Sequence, residues 1–127
     1  MSGIRIELPS RSDLESRIQT EIIDKTLSRM DERRQAKRCA FSSYVQCNTL
    51  DEEFQLIGKE FAARCRDISI TGIGLTVDKI IRPKTKITME LPLTRSEWIQ
   101  AVGEVIWCRP RGHFQAFYDL GLRFLVK

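Results

Sequence analysis

The sequence predicts an all-β domain, an antiparallel barrel or sandwich, standing behind one N-terminal amphipathic helix. Three observations predict it. From Cys39 onward the apolar residues recur with a period of two, in about six short segments. Turn-forming residues separate those segments. Before them, a single stretch carries the 3.6-residue period of a helix. At 127 residues and 42% hydrophobic content, the chain is long enough to bury one core.

The elements follow in order. Residues 1–10 open with Ile4, Ile6 and Leu8 alternating with Arg5 and Glu7, a strand-like pattern stopped by Pro9. Ser12 with Glu15 has the capping-box spacing and marks the helix start. Leu14, Ile18, Ile22 and Met30 then line one face, widened by Ile23 and Leu27, and Glu21 and Lys25 stand in the favourable i,i+4 order on the other. That apolar face packs on this chain's own core or on another copy; the sequence leaves both open.

The helical pattern ends in a basic run, residues 32–38 (ERRQAKR). Residues 39–47 alternate as a strand, with Phe41 and Val45 on one face and Ser42, Tyr44 and Gln46 on the other. A polar turn is expected at 48–53, and 54–59 reads as a short strand or a loop. Residues 60–68 form the second strand, with Phe61, Ala63 and Cys65 inward and Arg64 and Arg66 outward. The third strand covers 72–77, the fourth 86–93 with Ile87, Met89 and Leu91 inward, and the fifth 98–107 with Gly103 at a bulge or a close approach. A turn is expected at 109–112. The last strand covers 114–126, bent at Gly121, with Leu122, Phe124 and Val126 alternating. No internal repeat or low-complexity segment interrupts the pattern.

Several function classes are excluded or disfavoured. The four cysteines, Cys39, Cys47, Cys65 and Cys108, show no C-x-x-C spacing, and with the single histidine, His113, they leave no metal-ligand cluster. No nucleophile–base pair, P-loop or dinucleotide fingerprint is present, so no catalytic residue and no cofactor is assigned and a non-enzyme is expected. His113 reads as a surface turn residue. No secretory leader and no apolar run of membrane-spanning length opens the chain, so reduced thiols and a cytoplasmic location are expected.

Two stretches carry the remaining chemistry. Arg34-x-x-x-Arg38, flanked by Arg33 and Lys37, offers planar guanidiniums that suit phosphate oxygens or the O6 and N7 edge of guanine. Asp67-x-Ser69-x-x-Gly72 offers a carboxylate suited to guanine's N1–H and N2–H, a hydroxyl that donates or accepts, and a glycine that allows close backbone approach or positive φ. Read blandly, the first is a solvated face and the second only a turn. Read together, they describe a site for an anionic, guanine-bearing ligand, to which a net charge of +4 is suited.

In that order and spacing, Arg34-x-x-x-Arg38 and Asp67-x-Ser69-x-x-Gly72 resemble the PilZ domain family. Gly103-Glu104-Val105-Ile106-Trp107 and Leu120-Gly121-Leu122-Arg123-Phe124 look like its later strands. The resemblance spans residues 32–127 and implies a six-stranded antiparallel β-barrel there, behind a lead-in and helix at 1–31. It implies a receptor for cyclic di-GMP. In the family the arginine motif lies in an arm that closes over the ligand. Arg34 and Arg38 would hold phosphates and guanine edges, Asp67 and Ser69 would read a guanine, and Gly72 would keep the turn. Arg33 and Trp107 are secondary candidates, Trp107 either stacking on a base or packing on its neighbours. Many members carry a helix after the last strand; here a helix precedes the motif, and it would pass binding to a downstream protein or a second copy. Two alternatives remain: a PilZ-fold interaction module without ligand binding, and a small basic barrel binding single-stranded nucleic acid. Few aromatics on the expected exposed faces weigh against the latter.

Overall fold

Six antiparallel strands close on themselves, which removes the edges that short strands would otherwise expose. They are β1 (Cys39–Leu50), β2 (Leu56–Ile68), β3 (Gly72–Val77), β4 (Lys86–Pro92), β5 (Trp98–Arg111) and β6 (Phe117–Phe124). Around the barrel the order is β1-β2-β3-β6-β5-β4, with β4 pairing back onto β1. The computed structural model describes residues 3–29, 39–112 and 116–127, with backbone alone for 27–29 and 39–42. Met30, Arg33, Arg34, Lys37, Arg38, His113 and Phe114 lie outside the described residues.

Period-two alternation fills the barrel. Val45 and Cys47 of β1, Ala63 and Cys65 of β2, Ile73, Leu75 and Val77 of β3, Ile87, Met89 and Leu91 of β4, and Leu120 and Leu122 of β6 are buried. Tyr44 points outward and is 73% exposed. Burying each large aliphatic side chain stabilises by about 1.5–3 kcal/mol before the entropy of ordering is counted.

The strand ends depart from expectation. β1 continues through Leu50, because Asp51 tightens the hairpin: its carboxylate accepts from the Glu53 N–H at 2.8 Å and the Gln55 N–H at 3.0 Å. β2 therefore starts at Leu56. β5 runs on to Arg111, which pairs with Phe117, so the expected turn at 109–112 is mostly strand. Gly103 is a close approach and not a bulge. A Cβ there would lie 3.0 Å from Met89 Cε and 3.1 Å from Leu122 Cδ2. The β5–β6 register shifts instead between Val105 and Trp107.

The N-terminal residues Gly3–Leu8 lie along the β1–β2 hairpin through one bridge, Arg5 with Gln55, and hydrogen bonds from Ile6 N to Phe54 O and from Leu56 N to Ile4 O, both 2.8 Å. The helix begins two residues earlier than Ser12 suggests. Ser10, extended after Pro9, is the N-cap and accepts from the Asp13 N–H at 3.2 Å. Helix α1 (Arg11–Ile18) then widens into a π turn at Gln19–Ile23 before α2 (Asp24–Arg29) resumes. The Gln19 side chain donates to Asp24 at 2.7 Å, and Thr26 Oγ1 donates to the Ile22 carbonyl at 2.6 Å. The wider turn brings adjacent Ile22 and Ile23 both into the core. Leu14, Ile18, Ile22 and Ile23 join the barrel residues in one apolar cluster, so this part of the stripe packs on its own chain. No described helix is long and apolar enough to cross a membrane.

Candidate functional site: an outer groove beside the β2–β3 turn

The turn after β2 is organised by Ser69. Its backbone N–H donates to the Gly72 carbonyl at 2.9 Å, and its hydroxyl accepts from the N–H groups of Gly72 at 3.1 Å and Thr71 at 3.3 Å. Ser69 is 7% exposed, so this hydroxyl is held inside the turn. Gly72 then opens β3 opposite Arg123. Positive φ among the described glycines falls at Gly58 and Gly112, so Gly72 serves the turn without it.

Immediately before the turn, the β2–β3 register shifts between Cys65 and Asp67. Cys65 and Ile68 are buried, while Arg66 and Asp67 are both half-buried. A regular strand would send these two neighbours to opposite faces; the bulge brings both to the same outer groove.

The groove measures about 540 Å³ and is lined by Arg66, Asp67, Gly72, Gly74, Trp107, Gly121 and Arg123, among others. Its floor is a cross-strand pair of glycines, Gly74 of β3 opposite Gly121 of β6. A Cβ on Gly74 would stand 2.7 Å from Asp67 Oδ1 and 2.8 Å from Arg66 Nη2. Trp107, opposite Gly121 in the β5–β6 register, lays its indole over that glycine, where no Cβ could fit. The guanidiniums of Arg109 and Arg66 lie 5.0 and 5.8 Å from the Trp107 ring centroid. Arg123 pairs with Glu104 at 3.6 Å.

Arg66 is fixed from below. Its Nη2 donates to the Leu120 carbonyl at 3.0 Å, and its Nε lies 3.5 Å from Asp119 Oδ1. The same Asp119 oxygen accepts from Thr76 Oγ1 at 2.8 Å and Arg111 Nη1 at 3.2 Å.

Of the residues expected at a site, Asp67, Gly72 and Trp107 share this groove, and Ser69 lies in the turn at its rim. Arg33, Arg34 and Arg38 fall outside the described residues. β1, into which their segment leads, begins with Cys39 opposite Ile68 and Ala40 opposite Asp67. The sequence reading missed Arg66, Gly74, Gly121 and Arg123 as groove residues. Its available signal was the two glycines inside strands, which mark close backbone approach. Among the described residues no cluster could hold a metal ion.

The PilZ domain family profile matches residues 32–127. No protein of curated function matches the sequence. Among solved structures, the barrel is similar to the PilZ domain with c-di-GMP of YcgR from Escherichia coli, at 16% identity and a TM-score of 0.52, covering 74% of this chain and 79% of that one. That likeness supports the fold, and the profile, which covers most of the chain together with the closed six-stranded barrel, places this protein in the PilZ domain family.

Proposed function

We propose that this protein is a non-catalytic receptor for cyclic di-GMP, bound in the groove beside the β2–β3 turn. One observation carries the reading: Cys39, the residue that follows Arg38 in the sequence, pairs with Ile68, and Ala40 pairs with Asp67, so β1 begins beside the Asp67–Gly72 turn. The similar PilZ domain of YcgR, whose structure holds c-di-GMP, supports the choice of ligand.

Asp67 accepts from the N1–H and N2–H of one guanine. Trp107 gives that base an aromatic face, and the paired glycines leave the room in which the indole, Arg66 and Asp67 lie close against the barrel. Arg34 and Arg38, with Arg33 beside them, bind phosphates and the remaining guanine edges. Ser69 holds the turn in shape. Ligand phosphates neutralise the clustered cations, and charge-assisted hydrogen bonds offset the entropy of ordering their segment.

That segment joins α2 to β1 in the sequence, and Leu14, Ile18, Ile22 and Ile23 of the helix are already part of the barrel's core. Closing it over a ligand biases the helix between two arrangements and so alters the surface offered to a downstream protein or a second copy. Titration of Arg34→Ala and Asp67→Ala variants tests the site. Each loses about 1–3 kcal/mol of binding for the bidentate contact removed. An Arg34→Ala protein that binds cyclic di-GMP as tightly as the parent contradicts the assignment.

A further inference from the structure

We propose that Arg66 is a specificity-determining residue of the groove: together with Asp67 it reads one continuous guanine edge, and Asp119 is the residue that positions it. This rests on cyclic di-GMP being the ligand of the groove.

The bulge between Cys65 and Asp67 is the key observation, because it places two consecutive side chains of opposite hydrogen-bonding character in one groove. Arg66 Nη2 and Asp67 Oδ1 both occupy the space above Gly74, at 2.8 and 2.7 Å from where its Cβ would be. Guanine presents N7 and O6 as acceptors and, next along the same side, N1–H and N2–H as donors. A guanidinium beside a carboxylate is the complement of that row, with arginine donating to N7 and O6 and aspartate accepting from N1–H and N2–H. Adenine places an amino donor where O6 would be and has no hydrogen on N1, so it mispairs with both residues.

The surroundings of Arg66 favour a base edge over a phosphate. Its charge is already shared with Asp119 at 3.5 Å, and its side chain is 27% exposed. What remains is directional donation from a fixed guanidinium. Leu120 O fixes one nitrogen, and Asp119 is itself held by Thr76 and Arg111. A preformed donor of this kind loses little conformational entropy on binding.

The test uses the full chain, as wild type and as Arg66→Met, which keeps a long apolar stem without donors. Each is titrated with cyclic di-GMP, cyclic di-AMP and a cyclic di-GMP analogue with 7-deazaguanine bases. Arg66→Met weakens cyclic di-GMP binding by about 10- to 100-fold and narrows the preference over cyclic di-AMP. The 7-deaza change weakens wild type but has little further effect on Arg66→Met. Asp119→Asn gives a smaller loss in the same direction. If Arg66→Met does not fold, Arg66→Lys, which keeps the charge but not the fork, takes its place in the same cycle. Equal 7-deaza penalties in wild type and variant, or equal losses for both dinucleotides, overturn the role of Arg66 while leaving the ligand in place. Failure of wild type to bind cyclic di-GMP overturns the ligand assignment, and this inference with it.

Discussion

Gly74 and Gly121 face each other across β3 and β6, and the space their missing side chains leave is occupied from either side, by Arg66 and Asp67 over one and by the Trp107 indole over the other. The barrel wall is thus thinnest where polar and aromatic groups converge. Gly74→Ala is the mildest way to disturb that convergence. A Cβ there would meet Asp67 Oδ1 at 2.7 Å and Arg66 Nη2 at 2.8 Å, so both side chains must shift, and Arg66 can do so only by loosening its bond to the Leu120 carbonyl. Stability is expected to fall by about 1–3 kcal/mol, and cyclic di-GMP affinity by about 1–3 kcal/mol. Thermal unfolding and titration of one preparation check both halves.

Ser69 separates turn stability from ligand contact. Its buried hydroxyl satisfies the N–H groups of Thr71 and Gly72. Ser69→Ala leaves them short of a partner and is expected to cost about 1–3 kcal/mol of folding stability. The check is the denaturant midpoint without ligand. An unchanged midpoint would show that the turn does not depend on the hydroxyl.

The helix gives a third stability prediction. Ile18 is fully buried in the cluster that includes the barrel residues. Ile18→Ala is expected to cost about 2–5 kcal/mol, the range for a large core aliphatic cut to alanine. Urea denaturation followed by far-UV circular dichroism measures it. A loss below about 0.5 kcal/mol is what an exposed surface position would give, and would show the stripe to be separable from the barrel.

Most of the barrel was legible because its strands alternate strictly. Residues 72–77 and 86–92 could be bounded almost to the residue by Ile73, Leu75, Val77 and Ile87, Met89, Leu91. The misplaced ends have local causes. Asp51 closes its hairpin with a carboxylate, so polar residues such as Asn48 and Thr49 that look like turn are paired strand. The π turn was hidden because Leu14, Ile18, Ile22 and Ile23 fit a wide α-helical stripe as well as a widened turn. Among the residues lining the groove, Asp67 and Gly72 stand in a motif legible in the sequence. Arg66 is not legible there, because strict alternation assigns it to the face opposite Asp67, and only the bulge brings the two together.

Cys47 predicts an alkaline sensitivity. Burial in the core pushes its thiol up to about 12 from an ordinary value of 9.0, with Lys79 opposing that shift and Cys65 adding to it. The thiol releases its proton more easily in the unfolded chain than in the folded one. Its contribution to stability is therefore complete below pH 9 and is lost as the pH rises from there toward 12. Denaturation midpoints measured at pH 8 and at pH 10 to 11 should fall for the parent, and Cys47→Ala should flatten that dependence after its lower baseline is subtracted.

Isothermal titration of the purified protein with cyclic di-GMP, with GTP and the linear diguanylate as controls, tests the receptor function. Saturable binding of the cyclic dinucleotide is expected, with the controls far weaker, and the stoichiometry gives the number of ligand molecules held in the groove. Absence of binding by cyclic di-GMP in a folded sample would contradict the receptor function and turn attention to the barrel and helix as surfaces for a protein partner.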